Sequence, residues 1–330
     1  MTQDARRLEV ALKAVQRAGR VCDGIQGRLK KAGVLDKDDR SPVTVADFAS
    51  QAVVCALLRK DLGEEVIVGE EGSEALRREE NEALLQAVVE AVAEEVSREL
   101  GRVERSDVLS WIDWGGGQAE GEAFWTLDPI DGTKGFLRGD QYAVALGYIE
   151  KGRPTLGVLG CPNLPVDKGR GAVFTAVLGG GCRRYPAFAA LPTDSAPVVS
   201  PPHVDPGEAR FCESVEKAHT DQSLSARIAK EAGLSPEPFR MDSQCKYAVV
   251  ATGEASVYLR VPKQEGYFEK IWDHAAGALV VESAGGRVTD LDGEPLDFSK
   301  GGRLVDNRGV VASSGGVHQR VLQAIATLGV

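Results

Sequence analysis

Apolar residues Leu8, Ala11, Leu12, Val15, Ala18 and Cys22 recur at helical spacing, so the chain opens with an amphipathic helix. Arg40 to Thr44 reads as an extended piece, because Pro42 disfavours the helical region at Ser41. Asp47 is then expected to open a second helix that turns Val53, Val54, Leu57 and Leu58 inward. The short apolar run Val66 to Val68 reads as a strand that delivers Glu70 and Glu71 into a loop flanked by Gly69 and Gly72. Residues 79–104 form a helical stretch with Leu84, Leu85, Val88, Val92, Val96 and Leu100 on one side. Its other side carries Glu79, Glu80, Glu82, Glu90, Glu94, Glu95, Glu99 and Glu104 against Arg98 and Arg102, a face expected to be solvated.

From Ala123 the texture changes to strands: Phe124 to Leu127, Tyr142 to Ile149, then a hairpin turn at Lys151-Gly152 into Thr155 to Leu159. Residues 179–210 are rich in Gly and Pro and are expected to cross between two lobes. Beyond them the pattern alternates. Strand-like runs are 211–214, 255–261, 287–289 and 309–312; helix-like runs are 223–232, 244–252, 274–284 and 317–328. Interleaved helices and strands place the fold in the α/β or α+β class. Two lobes are expected, residues 1–190 and residues 191–330.

Composition narrows the functions. The 330 residues carry 39 Lys and Arg against 49 Asp and Glu, a net charge of −10, which argues against a nucleic-acid polymer as partner. No run of 18 apolar residues suggests a membrane span. Met1 to Arg7 lack a signal-peptide core, so an intracellular protein is expected, cytoplasmic or organellar. Cysteines 22, 55, 161, 182, 212 and 245 form no CxxC pair, which argues against a structural zinc site and for buried free thiols. A Cys161–Cys182 pairing across a hairpin stays open as a redox alternative.

The chemistry concentrates in Asp128-Pro129-Ile130-Asp131-Gly132-Thr133. Pro129 fixes φ and Gly132 permits a sharp turn, so Asp128 and Asp131 can converge. Two buried carboxylates repel, and a divalent cation with a preference for hard oxygen ligands relieves the repulsion. Taken alone, such a pair reads more readily as turn and capping residues. Glu70-Glu71 and Trp272-Asp273-His274-Ala275-Ala276-Gly277 add carboxylates at two further element ends, although Asp273 is also read as a plain helix N-cap. A Walker-type NTPase is excluded because no GxxxxGK[ST] loop occurs.

The Asp128–Thr133 and Trp272–Gly277 stretches together resemble the paired signature of the inositol monophosphatase-like superfamily of Mg²⁺-dependent, Li⁺-sensitive phosphatases. Residues 41–47, 68–71, 134–139, 160–164, 215–217, 242–244 and 257–262 resemble its 3′(2′),5′-bisphosphate nucleotidase branch. The resemblance implies a layered αβαβα sandwich of the inositol monophosphatase and fructose-1,6-bisphosphatase type. It implies Glu70, Asp128, Asp131, Asp273 and the Ile130 carbonyl as ligands to two or three Mg²⁺ ions, with Asp128 bridging two. Asp47 and Thr133 match the pair that orients and deprotonates the attacking water. His219, Ser243, Lys246 and Arg260 match residues around the nucleotide. Ser243 and Lys246 are expected near the second phosphate, with His219 and Arg260 near the nucleoside; Thr133 and Asp273 also match substrate contacts.

The expected reaction is hydrolysis of the 3′-phosphate of adenosine 3′,5′-bisphosphate, or of its sulfated analogue, by a monomer that Li⁺ inhibits. Two alternatives share the residues: an inositol polyphosphate 1-phosphatase, and a nucleotide sensor that binds without hydrolysing. The intact Asp47 and Thr133 argue against the sensor.

Overall fold

The computed structural model describes residues 2–32, 41–166, 169–189, 195–215, 222–235, 237–262, 264 and 266–330. The chain begins with two long helices, α1 (Gln3–Ala32) and α2 (Ser41–Leu62), which pack together. Strand β1 (Ile67–Gly69) follows, then helices α3 (Glu82–Leu100) and α4 (Arg105–Trp114). Next come β2 (Ala123–Asp131), the short helix α5 (Thr133–Arg138), β3 (Ala143–Glu150), β4 (Arg153–Val166), β5 (Gly169–Val177), β6 (Gly181–Pro186) and β7 (Ala196–Val198). These strands form a seven-stranded sheet in sequence order, with β1 and β2 parallel and the rest antiparallel.

The remainder comprises β8 (Phe211–Glu213), α6 (Gln222–Glu231), β9 (Phe239–Arg240), α7 (Cys245–Thr252), β10 (Val257–Arg260), α8 (Ala275–Ser283), β11 (Arg287–Thr289), β12 (Val310–Ser313) and α9 (His318–Leu328). Its five strands form a mixed sheet in the order β11-β12-β10-β8-β9.

Side-chain pattern explains the layering. On β3, Val144, Leu146 and Tyr148 join the core under α1 and α2, while Ala143 and Ala145 join the core under α7 and α8. Strand side chains alternate between faces, so one sheet is buried on both sides. Helices α7 and α8 are buried all round, from Cys245 to Ala251 and from Ala275 to Val281. A helix apolar on every side belongs between two layers, and these two sit between the sheets. Helices α6 and α9 cover the outer face of the second sheet. The layers therefore run αβαβα.

The face of the first sheet toward α8 is built from small residues. A Cβ on Gly147 would lie 3.0 Å from Ala275 Cβ, and one on Gly157 would lie 3.1 Å from the Ala276 carbonyl oxygen. That close approach carries the segment just before α8 toward the end of β2.

Several local expectations are corrected. Helix α2 starts at Ser41, so Pro42 occupies its first turn, where a missing N–H is no loss. Asp47 therefore lies inside the helix rather than opening it. Residues 79–104 divide into a 3-10 turn at Glu79–Asn81 and α3, and Glu104 then closes a capping box with Asp107 at the start of α4. The acidic face of α3 is not wholly solvated: Glu95 pairs with Arg17, and Glu99 with Lys13 and Lys60, so it docks on α1 and α2. Residues 179–210 contain β6 and β7, which extend the first sheet. Cys161 and Cys182 lie on β4 and β6 with β5 between them, opposite Ala172 and Ala176, and both are free thiols. Lys151 and Gly152 make the expected tight turn, both with positive φ.

Gly157→Val should wedge α8 off the sheet and lower stability by about 1–3 kcal/mol. Gly24→Ala, in open space within α1, should instead raise it by about 0.5–1 kcal/mol. Urea unfolding midpoints measure both.

Candidate active site

Strands β1 and β2 are parallel with Gly69 beside Leu127, so Glu70, the first residue after β1, emerges beside Asp128, which is still within β2. Between Asp128 and Asp131, β2 carries three residue steps against the two from Ala145 to Ala143 on β3. The irregularity matters because side chains three apart on a regular strand point to opposite faces. Here Asp128 and Asp131 line the same cavity. It also places Pro129, which lacks an N–H, where the ladder needs none.

Helix α2 braces both acidic loops with neighbouring residues. Ser50 Oγ donates to the Pro129 carbonyl at 2.8 Å. The fully buried Gln51 donates through Nε2 to the Glu71 carbonyl at 2.6 Å and accepts from the Glu71 N–H at 3.1 Å. Gly69 is required there, since a Cβ would lie 2.6 Å from Gln51 Oε1. One helical turn before Gln51, Asp47 faces the same cavity.

The second sheet's elements close the cavity from the other side of the chain. Gly132 has φ 89° and Ser243 has φ 65°, and a Cβ on Gly132 would fall 2.7 Å from Ser243 Cβ. This contact brings the Gln244 N–H onto the Asp131 carboxylate, while Gln244 Nε2 donates to the Trp272 carbonyl at 3.1 Å. Asp242 receives Arg138 from α5 and accepts from the Val215 N–H at 3.2 Å. Asp273 ends a 3-10 turn at Ile271–Asp273, and His274, not Asp273, holds the capping position of α8; Asp273 turns into the cavity instead.

One cavity thus gathers Asp47, Glu70, Asp128, Ile130, Asp131, Thr133, Ser243, Lys246, Arg260 and Asp273. His219 lies outside the described residues. The sequence reading left Glu71, Ser214, Asp242, Gln244 and Tyr258 without a role, yet all line the same cavity. All but Ser214 lie in stretches that resemble the branch, 68–71, 242–244 and 257–262, and the packing of Gly132 on Ser243 brings Asp242 and Gln244 into the site.

The acidic groups strain one another. Burial first, then Asp273, Glu71 and Asp131, push the Glu70 carboxyl up to about 7. Burial, then Asp131, push Asp273 up to about 6. Burial and the Glu70, Asp131 and Asp273 charges raise Asp128 well above the carboxylate range. Burial and the Glu71 and Glu70 charges do the same to Asp47. Such clustered shifts mark functional sites.

Residues 4–328 match the inositol monophosphatase family, and the chain belongs to it. Within that family, its relatives include a 3′(2′),5′-bisphosphate nucleotidase of Schizosaccharomyces pombe, 41% identical over 99% of this chain and 97% of that protein. Another of the same name, from Oryza sativa, is 42% identical over 97% of this chain and 94% of its own length. Among solved structures, an inositol monophosphatase from Anabaena aligns with a TM-score of 0.63 at 22% identity, over 99% of this chain and 97% of that one. The bacterial family member CysQ from Bacteroides thetaiotaomicron aligns at 0.60 and 20%, over 94% and 97%. The fold is that of the family, as the paired motifs implied.

The family is metal-dependent, generally on Mg²⁺. The residues here fit such an ion. Asp128 Oδ1 is fully buried and makes no hydrogen bond, and its neighbours Glu70, Asp131 and Asp273 are all oxygen donors. Among the described residues, one group of three potential ligand side chains, Glu269, Asp273 and His274, has its ligating atoms all within 4.8 Å of one another.

A carboxyl raised by folding binds more protons folded than unfolded, so the metal-free fold loses stability as pH rises from about 4 through about 7. Asp128→Asn removes the central charge. In EDTA-treated protein its melting temperature should exceed that of the parent, and the gap should widen between pH 5 and 7.5. An equal or lower melting temperature at pH 7.5 would show that the carboxylates do not strain the fold.

Proposed function

We propose that this chain hydrolyses the 3′-phosphate of adenosine 3′,5′-bisphosphate to AMP and phosphate, and acts likewise on the sulfated analogue. The observation that carries the reading is a single cavity that combines a carboxylate cluster with Ser243, Lys246 and Arg260. The near-full-length relatives named as bisphosphate nucleotidases support it over an inositol polyphosphate phosphatase or a silent sensor. The same reading takes the chain as two lobes of an intracellular monomer, in keeping with six buried free thiols; the expected division at residues 1–190 and 191–330 shifts past β7 (Ala196–Val198), which pairs with β6 in the first sheet.

Glu70, Asp128, Asp131, Asp273 and the Ile130 carbonyl would hold Mg²⁺, which when bound acidifies water and offsets phosphate charge. Asp47 is the general base: buried beside Glu70 and Glu71, its carboxylate gains by accepting a proton. Thr133, at the first position of α5, orients the water through its hydroxyl. Water attacks phosphorus in line as Asp47 takes its proton, the bond to the 3′-oxygen breaks, that oxygen takes a proton from solvent to become the AMP hydroxyl, and Asp47 returns its proton to solvent. Lys246 is buried and directs its ammonium toward the Tyr258 ring, 5.1 Å from its centroid, a setting suited to a phosphate that stays on the nucleotide.

Phosphate release in Mg²⁺ should be much faster from adenosine 3′,5′-bisphosphate than from inositol 1,4-bisphosphate; the reverse order would overturn the reading. Asp131→Asn should abolish turnover in a folded protein. Lys246→Ala should raise KM for the bisphosphate by about tenfold or more, and more than for a nucleoside 3′-monophosphate. Millimolar Li⁺ should inhibit the Mg²⁺-supported reaction.

A further inference from the structure

Behind the cavity lies a chain of buried polar groups that the proposed reaction does not use. Glu269 is 2% exposed and accepts from Arg260 Nε at 2.8 Å. Its Oε2 lies 3.2 Å from His274 Nε2. His274 is fully buried, and its Nδ1 lies 2.7 Å from the Tyr247 hydroxyl. A carboxylate only accepts, so Nε2 carries the imidazole proton and Tyr247 donates to Nδ1. Tyr247 stacks edge-on against Tyr258 at 5.0 Å, and it fits because position 277 is glycine: a Cβ there would fall 2.1 Å from the Tyr247 ring. With both ring nitrogens of His274 engaged and Glu269 held by Arg260, this cluster is not itself arranged as a metal site.

The chain resolves a competition. Arg260 Nη2 is 4.0 Å from Asp273 Oδ2. That is the outer limit of an ion pair, and the same Nη2 donates to the Tyr267 hydroxyl at 3.3 Å; a closer approach would turn the contact into a charge-assisted hydrogen bond. Such a bond would neutralise a carboxylate needed for the cation and withdraw Arg260 from the substrate.

Resting on the nucleotidase reading above, we propose that Glu269 is a positioning residue: it holds Arg260 by Nε, keeps the guanidinium, which Tyr267 also engages at Nη2, from closing further on Asp273, and is itself fixed by His274 and Tyr247. Glu269 thereby serves two subsites, leaving Asp273 for the cation and Arg260 for the nucleotide. This assigns work to His274 and Gly277 of the Trp272–Gly277 stretch, beyond the carboxylate of Asp273.

The test is a double-mutant cycle on the full chain with Glu269→Gln and Arg260→Ala. Calorimetry measures adenosine 3′,5′-bisphosphate binding in Ca²⁺ and, separately, Mg²⁺ binding without nucleotide; steady-state assays give KM and kcat. Glu269→Gln should weaken nucleotide binding and Mg²⁺ binding by about 10–100-fold each. In the Arg260→Ala background, Glu269→Gln should have little further effect on either, because no guanidinium remains to be held. Glu269→Asp should recover part of the loss. Additive effects of the two substitutions, or unchanged Mg²⁺ binding in Glu269→Gln, would overturn the proposal. Tyr247→Phe, which keeps the ring and removes the hydroxyl, covers the case of a Glu269 variant that does not fold: it should weaken nucleotide binding severalfold, and unaltered binding would also overturn it. A parent chain that neither binds nor hydrolyses the nucleotide would instead sink the nucleotidase reading.

Discussion

Repulsion among buried carboxylates is the constraint around which this molecule is arranged. Glu70, Asp128 and Asp273 are each raised above the usual carboxylate range, first by burial and then by neighbouring carboxylates, Asp131 among them in every case. No packing arrangement removes that repulsion; it is offset only by protons or by a cation. Much nearby structure serves to keep the groups together despite it. Gln51 grips the backbone after Glu70, Ser50 holds the carbonyl between the two aspartates, and the Gln244 N–H satisfies Asp131. The strain is therefore held by hydrogen bonds to backbone that is itself fixed in helix and strand.

The layers exist in a form that delivers these groups to one place. A sheet face of small residues lets α8 lie close, and the segment leading into α8 then reaches the end of β2. The Gly132–Ser243 contact locks the second half of the chain against the same point. Net charge misleads here: most of the surplus acid lies on surface helices, and part of that on α3 is paired with basic residues of α1 and α2. On the proposed reading, what draws an anionic substrate is local, a cation held by the acids together with Lys246 and Arg260.

Legibility followed the range of the interaction. Amphipathic α1 and α9 and the strand end before Glu70 were readable because apolar periodicity and Gly placement act within a few residues, whereas β2 was expected to end at Asp128 and runs on to Asp131. Helix α2 was misread at its start because Pro42 is compatible with a first helical turn as well as with extended chain, and only packing on α1 decides between them. Strands β6 and β7 were read as a crossing because Gly and Pro on an edge resemble a loop until a neighbouring strand supplies hydrogen bonds. Asp273 read as readily as a cap, since nothing within its own segment says which way a carboxylate turns.

The sequence by itself determined which residue types could do the chemistry and, through paired motifs far apart in the chain, the family that uses them. It also determined the class of fold, because periodicity and turn residues are local properties. Tertiary structure alone decided that Asp128 and Asp131 face one way, since that rests on a register irregularity between β2 and β3. It alone decided that Asp242, Gln244 and Glu269 belong with them. The Asp242 and Gln244 contacts join residues distant in sequence, and the direction in which Glu269 turns is set by the packing of whole layers, which no local pattern encodes.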